Sequence, residues 1–287
     1  MRSIAAPAAV AAALIIVALC TGTAAQAQTA DKPQTQSKPA AKPSAKPKPQ
    51  AKPVAQPKQT AAPQADSRPS ICVASTIGRQ FHVQTIGIMV FGNSLEKISI
   101  DSWGVDDLAI RKIQDVVGRN YAVRRLPVSA SALTLLEPKP FSGWTQDPMH
   151  DFVAAVAGSG PRCTTYMTVT PSGSQVDGTN QAVAGLGILV QGSPVVLIDR
   201  TRVFASFILR AFDGETFKPL HSEKPTTDPL LVNALTGGLS AMNRNVDKTW
   251  VPNPPQSAAQ SAQLRNATRA LVEEGVAKAT RAILEGP

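Results

Sequence analysis

Ser206-Phe-Ile-Leu-Arg-Ala-Phe212 and Thr216-Phe-Lys-Pro-Leu220, joined through Asp213-Gly214, are two strand-like runs on either side of a turn pair. Asp-Gly tolerates the left-handed backbone of a tight hairpin, so the stretch predicts two antiparallel strands. Pro219 has no N–H to give to a ladder, which confines the returning strand to an edge or to its own end. Upstream, Thr164 to Thr170, Ala182 to Val190 and Val195 to Phe212 also read as strands. Gly185 and Gly187 share one face of the second of these and predict close helix packing or a bulge there.

Further toward the amino terminus, strands alternate with helices. Ile71 to Thr76 is a short apolar run, and Phe81 to Phe91 is a long one ended by Gly92-Asn93. The face of the long run that holds His82, Gln84, Ile86, Ile88 and Val90 is wholly apolar after Gln84, as in a strand central to its sheet. Val105, Leu108, Ala109, Ile113, Val116 and Val117 recur at helical spacing. Asp106 and Asp107 in the first turn complement the helix dipole, Asp107 stands four residues before Arg111, and Gly118 supplies a stop. Tyr121 to Leu126 reads as a strand and Pro148 to Ala157 as a short helix. From about Ser257 to Leu284 a last helix carries Leu264, Ala267, Leu271, Gly275, Ala279 and Ile283 on one small-residue stripe, with Glu274 and Lys278 spaced to pair. The order β-β-α-β-α-β-β-β-β-α predicts an α+β fold: a two-layer mixed sheet with packed helices and a long C-terminal helix.

That domain, residues 71–287, is preceded by two segments of other character. In residues 1–27, Arg2, an Ala-rich apolar run from Ile4 to Cys20 and Ala25-Gln26-Ala27 have the layout of a cleaved secretory signal. The run is short for a membrane span and is broken by Pro7, so no stable span is expected after cleavage. Residues 28–70 form a disordered Lys/Pro-rich linker; its stretch 31–70 holds nine Pro and seven Lys and favours an extended polyproline-II spacer. Of the net charge of +9, the stretch 31–70 carries +6 and residues 71–287 only +2. The basic balance therefore belongs to the linker and gives no footprint for nucleic acid. Once Cys20 leaves with the signal, Cys72 and Cys163 remain, and two cysteines in an exported chain read as one disulfide, the alternative being two separate buried thiols.

Exported topology, early β-α-β elements, the Ile208–Lys218 hairpin and a closing helix together resemble the amino-terminal domain of TolB. They are also similar to the CsgG-like and LpoB-like periplasmic domains. The resemblance implies a periplasmic, non-enzymatic domain that binds an envelope protein or a peptidoglycan-associated partner. The spacer resembles that of TonB, and an uncleaved signal would make the chain an anchored transducer instead.

Catalytic chemistry is thinly represented. Ile88-Met-Val-Phe-Gly-Asn-Ser-Leu95 resembles the first block of SGNH-type serine hydrolases, and Asp147-Pro-Met-His150 has the spacing of their last. The Asp-x-x-His begins only 53 residues after Ser94, and no oxyanion block is recognisable between them. Asn93-Ser94 reads instead as a turn and Asp147 as a helix cap before Pro148. His82, His150 and His221 are isolated, with no metal-ligand spacing. No Gly-rich stretch has nucleotide-binding spacing. Arg124-Arg125 and Arg200/Arg202 have the chemistry for phosphate or carboxylate but read as solvated faces. Trp103 and Trp250 read as plugs at the sheet ends, and Trp144 as part of the 138–148 loop. No catalytic, metal or cofactor-binding residue is assigned.

Overall fold

In the computed structural model, residues 67–87, 92–137, 148–176, 179–192, 200–227 and 239–286 are described. The signal and linker segments, the end of the Phe81–Phe91 run, Trp144 and Asp147 lie outside them. The described residues belong to one compact unit, Ala61–Pro287.

The strands are β1 (Ser70–Ser75), β2 (Gln80–Ile86), β3 (Ser94–Ser99), β4 (Ala122–Arg125), β5 (Thr165–Pro171) and β6 (Gly173–Gln175). They continue with β7 (Ala182–Gln191), β8 (Arg200–Asp213), β9 (Pro219–Glu223) and β10 (Met242–Asn245). The helices are α1 (Val105–Val117), α2 (Ala130–Thr134), α3 (Pro148–Gly158) and α4 (Ala262–Glu285). The ten strands form one mixed sheet whose main path runs β3-β2-β7-β8-β5-β1-β4. The chain is thus α+β, with a mixed sheet and a long C-terminal helix, as its pattern of elements predicts.

The registers show how that path folds back on itself. Pro171 of β5 pairs with Phe207 and Gly185 of β7 with Ser206, so adjacent residues of β8 pass from one partner to the other. β1 runs parallel to β5, and β2 parallel to β7. Only Ile77 and Gly78 separate the two ladders: Thr76 N–H still donates to Val169 (3.0 Å), and the Arg79 carbonyl still accepts from Ile100 (3.1 Å). Two residues cannot cross three strands spaced about 4.8 Å apart. β1 and β2 are therefore one broken line, β5 and β7 a second, and β8 runs unbroken along both.

Side-chain alternation sends each line's residues to opposite faces. Ile71 and Val73 of β1, and Val203, Ala205, Phe207 and Leu209 of β8, pack under α1 and α4. Cys72, Ala74, Tyr166 and Phe212 face the other way, beneath α2 and α3. At the far end of that second face Ile86, Leu189 and Phe204 meet Val176, Leu239 and Ala241. The small-residue stripe of α4 brings the helix down at Gly275, where an added Cβ would lie 2.8 Å from the Phe207 ring.

Three local expectations change. The Asp-Gly turn is five residues long, Gly214 to Lys218, because Asp213 Oδ1 accepts from the N–H groups of Glu215 and Thr216 and from the Thr216 hydroxyl. Pro219 does open the returning strand, which among the described residues pairs with β8 alone. The last helix starts at Ala262, since Ser261 caps it by accepting from Leu264 N–H, and Pro255–Gln260 forms a separate 3-10 turn. The helical pairs yield to long-range partners: Asp107 binds Arg125, and Lys278 donates to the Thr226 carbonyl at 2.8 Å.

Candidate functional site

The three parallel strands place a crevice at the carboxyl end of β1. From β1 the chain passes through β2 and β3, then crosses by α1, over one face, to β4 on one side of β1. It returns by α2 and α3, over the opposite face, to β5 on the other side. Such a reversal of winding leaves an opening between the diverging connections, the topological switch point at which open sheets bind ligands. Here the opening has a volume of about 300 Å³.

Its polar lining is Ser75, Thr76, Arg79, Asp101, Asp106 and Arg125. Its apolar lining comes from Ile110 on α1, Leu126 and Val128 after β4, and Ala130 and Leu133 of α2. Asp106 accepts on Oδ1 from the Ser75 hydroxyl (2.6 Å) and the Gly78 N–H (3.1 Å), tying the break in the β1–β2 line to the first turn of α1. Gly78 is needed for that approach, because a Cβ there would sit 3.0 Å from the Asp106 nitrogen. Arg125 is held by Asp107. Asp101 engages the Ser99 hydroxyl through Oδ2 (2.7 Å). Among the described residues the Arg79 guanidinium makes no hydrogen bond or ion pair. Thr76 is 7 % exposed, and its buried hydroxyl oxygen has no partner.

The residues singled out by sequence fall elsewhere. Cys72 and Cys163 are joined, with S–S 2.06 Å and Cα–Cα 5.7 Å, where β1 passes under α3. Ser94 opens β3 and stands level with Thr85, Val190 and Thr201 across the sheet. His150 lies on α3, with its ring 6.3 Å from that of Phe217, beyond the other end of β8 at Asp213. Twelve positions of β8 separate the two levels, about 40 Å in a straight strand, so the fold does not bring Ser94 and His150 together. Among the described residues no group of three His, Cys, Asp or Glu side chains is placed to hold a metal ion. Trp103 is a core plug, its ring tilted against that of Phe81 at 5.2 Å and its Nε1–H on the Ala259 carbonyl (2.9 Å). Gly187 makes room for the Phe204 ring, 2.5 Å from where a Cβ would lie, so a strand side chain fills the space expected of a helix. Arg202 donates to Asn245 at 3.2 Å rather than facing solvent.

A second feature is the outer edge of β3. Ser94-Leu-Glu-Lys-Ile-Ser99 pairs with β2 over six residues without a bulge, and among the described residues no other strand pairs with it. Leu95 on this edge is 49 % exposed.

These features define a disulfide-linked α+β domain with a crevice at a strand-end switch point and an open sheet edge. No protein-family model matches the chain, and no curated protein matches it. Among solved structures, it is similar to the hypothetical protein CT253 from Chlamydia trachomatis, at 9 % identity and a TM-score of 0.30, over 73 % of this chain and 98 % of that one. It is similar also to protein XCC0632 from Xanthomonas campestris, of DUF330, at 8 % identity and a TM-score of 0.30, over 75 % of this chain and 90 % of that one. Likenesses of this size carry no argument about fold or function, and neither bears on the resemblance to TolB, CsgG-like or LpoB-like domains. Among the described residues no helix is long and apolar enough to cross a membrane.

Proposed function

We propose that this is an exported bacterial cell-envelope protein, in which a Lys/Pro-rich spacer carries an α+β domain that binds other envelope proteins in the periplasm. The observation that carries the reading is the free edge of β3. An extended partner segment can add a strand there, gaining main-chain hydrogen bonds along the edge and side-chain contacts at Leu95. The opposite margin of the sheet is less suited to this, because β9 begins with Pro219 and has an irregular register at Ala211/Phe212. The distance between Ser94 and His150 favours binding over serine hydrolysis.

The test is a photo-crosslinking side chain at position 95, read in intact bacteria against the same group at Leu220 on β9. A discrete adduct with an envelope protein at position 95, and none at 220, is the expected result. Equal labelling at both positions, or none at 95, removes the edge as the binding surface. Amino-terminal sequencing of the mature chain checks export separately; a chain that starts at Gln28 is expected.

A further inference from the structure

We propose that the crevice at the carboxyl end of β1 binds a small zwitterion, an α-amino acid with an apolar side chain. The inference does not rest on the β3 edge. It begins from the charges left over on the polar lining. Among the described residues, Asp106 and Arg125 are engaged by protein groups, whereas Arg79 is not, and Asp101 commits only Oδ2. Arg79 and Asp101 leave neighbouring rungs of one ladder, since the Arg79 carbonyl accepts from Ile100, yet the two do not close on each other as an ion pair. A guanidinium and a carboxylate that line one crevice without pairing suit a ligand that carries both opposite charges on one carbon. The carboxylate of such a ligand meets the Arg79 fork, and its ammonium meets the free oxygen of Asp101.

Two further observations fix the class. The rest of the lining, Ile110, Leu126, Val128, Ala130 and Leu133, is apolar and suits a hydrocarbon side chain. At 300 Å³ the crevice stands at the small end of ligand sites. Independently, the Thr76 hydroxyl is buried on this lining without a partner, an arrangement that is costly in a purely structural residue. Rotation of the Thr76 side chain toward a polar group bound in the crevice relieves that cost.

The experiment is titration calorimetry of the full chain with L-leucine, 3-methylbutylamine, which lacks the carboxylate, and 4-methylpentanoate, which lacks the ammonium. Saturable binding of leucine is expected, with each analogue weaker by about tenfold or more. Arg79→Ala should reduce leucine to the affinity of the amine, and Asp101→Asn to that of the acid. Thr76→Val should weaken leucine binding while leaving the ligand-free protein as stable as before or more so. No saturation up to about 10 mM, equal binding of the three compounds, or folded variants that bind as the parent does would each overturn the proposal. The analogue comparison uses the unmutated protein, so it decides the matter even where a variant fails to fold.

Discussion

The hydroxyl of Ser75 donates to Asp106 at 2.6 Å, across the point where the first line of the sheet breaks. The same carboxylate oxygen takes the Gly78 N–H, so one side chain of α1 secures both sides of the break. Removing it leaves a hydroxyl and a backbone donor without their acceptor in a partly buried place. Asp106→Ala should cost about 2–3 kcal/mol of unfolding free energy, read from urea midpoints at constant slope. Asp106→Asn keeps an acceptor oxygen and should lose clearly less. Equal losses in the two variants would mean that the carboxylate acts by charge at the helix start rather than by these bonds.

Gly275 and Phe207 give a second test. The position a Cβ would occupy on Gly275 is 2.8 Å from the Phe207 ring and 2.9 Å from Met242. Alanine is the better helix former by about 1 kcal/mol, yet overpacking typically costs about 1–3 kcal/mol. Gly275→Ala should therefore destabilise the domain by a net of up to about 2 kcal/mol. Phe207→Leu in the same chain should recover part of the loss, a coupling that a double-mutant cycle measures.

The disulfide closes a loop with a sequence separation of 91. A cross-link of that span restricts the unfolded chain far more than the folded one. Replacing both Cys72 and Cys163 by Ala should lower stability by about 2–4 kcal/mol. A reducing agent should lower the melting temperature of the parent protein and leave that of the double variant unchanged.

How much of this was legible in the sequence depends on range. α1, α4 and β8 were readable because their apolar spacing repeats over many residues and Gly118 marks a stop. β3 was not, since five of its six residues are exposed and only Ile98 is buried, so no apolar alternation announces it. Its ladder with β2 ends at Thr85 and β2 itself at Ile86, short of the apolar run Phe81 to Phe91 that the sequence presents as one strand. Gly87 N–H then donates to Asn93 Oδ1 (2.9 Å), closing the turn that the Gly-Asn signal marked. The crevice was hidden for a different reason. Ser75, Thr76, Arg79 and Asp101 come together only through the break in the line and the crossover of α1, and neither leaves a periodic trace. The one local sign was the run Ser75-Thr-Ile-Gly-Arg79, polar residues and a glycine directly after an apolar strand.

His82 supplies the pH dependence. It sits opposite Lys97 in the β2–β3 ladder. Its pKa is held below the usual 6.5, first by burial and then by the charge of Lys97, against a backbone hydrogen bond to Ala184 that acts the other way. In the unfolded chain the imidazole takes its proton near 6.5; in the folded chain it does so only at lower pH. Between those two values the unfolded state binds more protons, so stability rises with pH and is lost as pH falls through the window. His82→Gln should flatten the slope of unfolding free energy against pH just below 6.5. Lys97→Gln should flatten it only in part, because burial is the larger cause. Asp213 and Asp247, lowered by their hydrogen bonds to Thr216 and Thr249, begin to contribute only below the ordinary carboxylate value of 3.8, so they leave the histidine window clear. Denaturation curves at pH 5, 6, 7 and 8 on the three proteins decide it, and parallel slopes would assign the acid sensitivity to some other group.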